Sequence, residues 1–148
     1  ISHLSYVRPI AKELFHLRNV PFRVEVDGRI VVEEGVGQLV IANSRQYALR
    51  NDPALRASMT DGLADVVFLP CRTRMGLIAW SLRTRTRTHL ASPRAVYERG
   101  RVVRVTSLGE GASVQVDGEY ARTLGEGESI EILSRPSALR VLVGPGLD

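Results

Sequence analysis

Polar and apolar residues alternate strictly over Phe22-Arg23-Val24-Glu25-Val26, and the alternation resumes after Asp27-Gly28 at Ile30 and Val32. A two-residue period on both sides of Asp-Gly predicts a β-hairpin over residues 22–33. Both central residues of such a turn need positive φ, which this pair tolerates. The same grammar recurs in Val114-Gln115-Val116-Asp117-Gly118-Glu119-Tyr120, where Glu119 leaves the turn on stiff backbone at the rim of a sheet. A third pair, Asp61-Gly62, precedes the strand expected over Leu63 to Leu69, which Pro70 closes. All three turns lie beside apolar runs, so any chemistry is expected where they meet. Gln38 to Asn43 is apolar enough to be a strand covered on both faces. Ala95 to Tyr97, Val102 to Thr106, Ser129 to Leu133 and Leu139 to Val143 add shorter strands, with Gly109-Glu110-Gly111 and Gly125-Glu126-Gly127 as loops.

Two stretches carry a helical period instead. Leu4, Val7, Ile10, Ala11, Leu14 and Leu17 recur every three or four residues, with Pro9 inside the pattern and Asn19 and Pro21 ending it. Met75, Ile78, Ala79 and Leu82 form a second stripe after Thr73, while Leu77 and Trp80 fall off it. That helix is apolar nearly all round and is expected to be buried, which makes Trp80 as much a core residue as a membrane anchor. Ser44 to Met59 is irregular, with a turn at Asn51-Asp52-Pro53. The fold class is mainly antiparallel β with two helices, as a sandwich or partly closed barrel.

The chain of 148 residues suits one domain with a real core, and 44% apolar with 24% charged content argues against wholesale disorder. No apolar run approaches the ~20 residues of a membrane-spanning helix. The start at Ile1-Ser2-His3-Leu4, without Met or leader, reads like a chain cut from something longer. Cys71 alone excludes an internal disulfide, and His3, His16 and His89 lack zinc-type spacing, so a reducing cytoplasmic compartment fits best. The net charge is +4, but its distribution is uneven: nine arginines and one acid between Cys71 and Arg104 make that segment +8.

Several motifs, in order, resemble the C-terminal domain of bacterial diacylglycerol kinase-like lipid kinases, the family that includes the sphingosine kinases. They are Val40-Ile41-Ala42-Asn43-Ser44, Ala54 through Met59 to Thr60-Asp61-Gly62-Leu63, Val114 to Glu119, and Arg135-Pro136 with Ala138 to Val143. The resemblance covers nearly the whole chain. It implies that residues 1–148 are the β-sandwich on the substrate side of the cleft. ATP would be held by an N-terminal domain with a Gly-Gly-Asp-Gly-Thr type motif that this chain does not contain, so the fragment alone should be inactive. It implies a membrane lipid such as diacylglycerol as substrate, ATP as co-substrate and Mg²⁺ as cofactor.

The resemblance also assigns roles. Glu119 matches the family's proton acceptor, a carboxylate that takes the hydroxyl proton during phosphoryl transfer; the plain alternative is a solvated glutamate after a turn. Asp61 matches a position that binds Mg²⁺ away from the transferred phosphate, with backbone carbonyls of Ser58 and Leu63 as co-ligands; the alternative is a turn residue feeding the next strand. Where relatives often carry a second acid or Asn, this chain has Thr60. Asn43 is either a structural amide or a substrate contact, and Tyr47 lies in the same lipid-side loop, followed by Ala48-Leu49-Arg50 where relatives often have glycines.

The arginine-rich segment has three readings: a solvated surface, attraction to an anionic membrane, or nucleic acid. The low aromatic content of 5% and the lack of a recognised module argue against the last. The kinase reading places the protein in the cytoplasm, at most peripheral to the inner membrane face. Its rival is a non-catalytic β-sandwich module that binds a lipid or a protein.

Overall fold

A computed structural model describes residues 19–45 and 52–138. Nine strands follow in order: β1 Phe22–Val26, β2 Arg29–Gly35, β3 Gly37–Ala42, β4 Ala64–Pro70, β5 Val96–Gly100, β6 Val102–Ser107, β7 Ala112–Val116, β8 Glu119–Leu124 and β9 Ser129–Leu133. One α-helix, α1 Arg74–Arg85, and a short 3-10 turn at His89–Ala91 lie between β4 and β5. The expected helix over Leu4 to Leu17 and the strand over Leu139 to Val143 lie outside the described residues.

Every strand pair is antiparallel, in sheets ordered β2-β1-β6-β9, β3-β4-β5 and β7-β8. Among the described residues no sheet closes into a barrel, so the sandwich is the architecture. The four- and three-stranded sheets face each other over Phe22, Val24, Val26, Val103 and Val105 on one side and Ala64, Val66 and Phe68 on the other. Phe22 and Phe68 meet edge to face across that layer, ring centroids 5.4 Å apart.

Strand β4 is buried on both faces, as a run apolar but for Asp65 suggests. Its other set, Val67 and Leu69, packs under Ala54, Ala57, Cys71 and Trp80, so α1 and the loop before β4 form an outer third layer. Strand β3 differs from expectation. It is half-buried along most of its length, because only β4 pairs with it among the described residues.

The chain passes from the first sheet to the second at Gly35-Val36-Gly37. A Cβ at Gly37 would stand 2.3 Å from the Leu69 carbonyl oxygen, and one at Gly35 2.5 Å from Val32 Cγ1. Only glycine lets the backbone turn that corner. Both hairpin turns have the positive φ that their sequence predicts: Asp27 49° with Gly28 79°, and Asp117 53° with Gly118 85°.

Helix α1 starts at Thr73, whose hydroxyl accepts from the Gly76 N–H at 3.1 Å. Arg83 and Arg85 occupy its last turn, where the exposed carbonyls favour cations. The helix, expected to be buried nearly all round, turns only one of its two apolar faces inward. Trp80 and Thr84 are buried, while Met75, Ile78 and Leu82 are exposed. The indole decides this, because its apolar body fills the outer core while its N–H donates to the Pro70 carbonyl at 2.7 Å. Trp80 is therefore a core residue and no membrane anchor.

Candidate functional site

The Asp117-Gly118 turn joins β7 to β8, a hairpin that forms a sheet of its own. Glu119 is the first residue of β8, opposite Val116. Its carboxylate is exposed and makes no hydrogen bond or ion pair with a described residue. Around it, Val116 is 61% and Tyr120 66% exposed, so apolar surface lies bare on the same hairpin. An isolated two-stranded hairpin is marginal in water. Here Leu124 anchors the far end of β8 in the core, and Gly111 N–H donates to the Leu124 carbonyl at 3.1 Å. The result is a supported β finger with a free carboxylate beside apolar side chains.

The Asp61-Gly62 turn sits elsewhere, at the entry to β4. Oδ1 of Asp61 accepts from the Leu63 N–H at 3.0 Å, and Oδ2 is paired with the Arg99 guanidinium. Arg99 lies directly opposite Asp65 in the β4–β5 register, with Tyr97 two residues along on the same face. The Arg99 Nε reaches Asp65 Oδ1 at 3.5 Å, and the Tyr97 hydroxyl donates to the same oxygen. Asp65 is fully buried and its Oδ2 has no partner. Burial pushes the Tyr97 phenol above its ordinary value and the Asp65 carboxylate adds to that, so Tyr97 stays a neutral donor. Arg56 stacks over the Tyr97 ring at 5.2 Å. Two acids, two guanidiniums and a phenol thus lock the Asp61 turn onto the outer face of the sheet. The signal for this cluster was one carboxylate, Asp65, inside an otherwise apolar run.

This arrangement does not fit Mg²⁺ at Asp61. The Arg99 guanidinium holds Oδ2 of Asp61 and the Leu63 N–H holds Oδ1, so the protein itself engages both carboxylate oxygens. Among the described residues no group of three or more His, Cys, Asp or Glu side chains gathers to hold a metal ion. A single carboxylate already neutralised by Arg99 is a poor site for a hard divalent cation.

The three Asp-Gly turns do not all meet. Asp27 Oδ1 accepts from the Arg101 and Val102 N–H groups at 3.0 and 2.9 Å, and Asp61 holds Arg99, so two turns converge on the β5–β6 junction. The turn at Asp117 shares no hydrogen bond with them. Asn43 is exposed just past β3 and its amide makes no hydrogen bond to a described residue; Tyr47 lies outside the described residues.

Comparison with known proteins identifies the class of this sandwich. Residues 1–143 match the YegS C-terminal NAD kinase beta sandwich-like domain, and the chain belongs to that family. Its fold is shared with a diacylglycerol kinase from Bacillus anthracis str. Sterne, at TM-score 0.57 and 13% identity over 93% of this chain and 48% of that one. A second structure from the same organism, provisionally designated a diacylglycerol kinase, gives TM-score 0.59 and 13% identity over 90% of this chain and 48% of the other. The chain therefore spans less than half the length of these structures. No curated protein gives a significant match.

Proposed function

We propose that this domain forms the substrate side of an ATP-dependent lipid kinase, with Glu119 as the general base toward a lipid hydroxyl such as that of diacylglycerol. The observation that carries the reading is the unpaired carboxylate at the head of β8, beside exposed Val116 and Tyr120. A base must be free to accept a proton, and bare apolar side chains next to it suit either an acyl chain or a covering lobe. In the reaction the lipid oxygen forms a bond to the γ-phosphorus as the bond to the bridging β–γ oxygen breaks. The hydroxyl proton passes to Glu119, and ADP leaves with the electron pair. ATP and its accompanying Mg²⁺ belong to a second, N-terminal domain of the full-length protein, and no step runs through Asp61. The reading is tested by incubating the full-length protein with labelled ATP and detergent-dispersed diacylglycerol, sphingosine and other lipid alcohols. Phosphate transfer to one of them supports it, and transfer to none refutes it.

A further inference from the structure

The face of α1 turned away from the sandwich is apolar too. At about 100° per residue, Leu77, Trp80 and Thr84 share an arc of about 60° toward the outer core. Met75, Ile78, Ala79 and Leu82 share an arc of about 100° on the opposite side. In that second arc Met75 is 72%, Ile78 48% and Leu82 62% exposed. Arginines border it on both flanks, Arg74 and Arg85 along one edge and Arg83 along the other, and exposed Arg72 precedes the helix. The helix contains no acid at all. Arg83 is steadied against the Trp80 ring at 5.8 Å, and neither Arg72 nor Arg85 makes an ion pair with a described residue.

We propose that α1 is an interfacial docking helix that lays Met75, Ile78 and Leu82 into a bilayer surface rich in anionic lipids, with its flanking arginines on the headgroup phosphates. A membrane matches this face in two ways at once. It offers hydrocarbon to the central stripe and negative charge to both borders, the pattern of a helix lying in the interface plane. Such a helix is also held to the domain by its other side, so docking orders nothing new. The inference goes beyond the kinase reading and does not depend on it.

The test uses the full-length protein with vesicles of phosphatidylcholine alone and of phosphatidylcholine with phosphatidylserine. The native protein is expected to co-sediment with the anionic vesicles, less so as salt rises, and to ignore the neutral ones. Ile78→Asp/Leu82→Asp should lower the partition coefficient more than about tenfold, and Arg72→Ala/Arg85→Ala about fivefold per arginine. All four side chains are exposed, so circular dichroism should be unchanged. Equal binding to neutral vesicles, or unaltered binding by the Asp variant, overturns the proposal. So does a change in oligomeric state on light scattering for that variant, which would make the face a contact between copies. The kinase reading fails separately, through absent phosphate transfer in detergent micelles, where docking to a bilayer is not required.

Discussion

Removing the Arg99 guanidinium should expose how much the fold depends on it. Arg99 is 37% exposed at its side chain, while the two carboxylates it holds are Asp61 at 26% and Asp65 at 0%. In Arg99→Ala, Asp65 keeps only the Tyr97 hydroxyl. An uncompensated buried charge costs about 3–5 kcal/mol. The partly exposed guanidinium and its 3.5 Å reach to Asp65 place the loss lower, at about 2–3 kcal/mol. Adding Asp65→Asn removes the charge and keeps an acceptor for Tyr97, so the pair of changes should cost less than their sum by about 1–2 kcal/mol. Urea unfolding of the domain, followed by its single and buried Trp80, measures all four corners of the cycle. A cost below about 0.5 kcal/mol for Arg99→Ala, or simple additivity, refutes the lock.

The same cluster makes two further predictions. The folded Tyr97 phenol lies above its ordinary value near ~10, so its contribution to stability is complete below that pH. It is lost as the pH rises beyond, where the unfolded chain releases a proton that the folded chain retains. Urea midpoints on either side of the ordinary phenol pKa should therefore fall with pH, and less so in Tyr97→Phe; equal slopes would contradict the hydrogen bond to Asp65. Because Arg99 occupies Asp61, the thermal midpoint of the domain should be the same in Mg²⁺ and in EDTA. A rise of more than about 2 °C with Mg²⁺ would mean that the metal binds after all.

Local chemistry was legible in the sequence and tertiary choice was not. Asp27-Gly28 and Asp117-Gly118 form their turns because the φ requirement is met within two residues. The buried run in β4 likewise announces itself. Helix α1 could not be oriented from its period, since Leu77 with Trp80 and Met75 with Ile78 and Leu82 offer two apolar faces; a carbonyl at Pro70 selects one. Strand β8 is announced only by its turn, because five of its six residues, Glu119 to Thr123, are exposed and leave no inward alternation to set its length. Arg99 and Tyr97 became partners of Asp65 only through the β4–β5 register, which spans more than thirty residues. The pairing of Asp61 with Arg99, at the position where the family resemblance implies a metal, has no local signal either, since the two lie 38 residues apart.

The most direct test of the account is the turnover of Glu119→Gln in the full-length protein, measured with a lipid alcohol that the native protein phosphorylates. The side chain is exposed and unpaired, so the thermal midpoint should not move. Loss of a general base should lower kcat by about 10²–10⁴-fold with little change in KM for ATP. A kcat within a few-fold of native would show that the proton leaves by another route and that the β8 carboxylate is no catalyst.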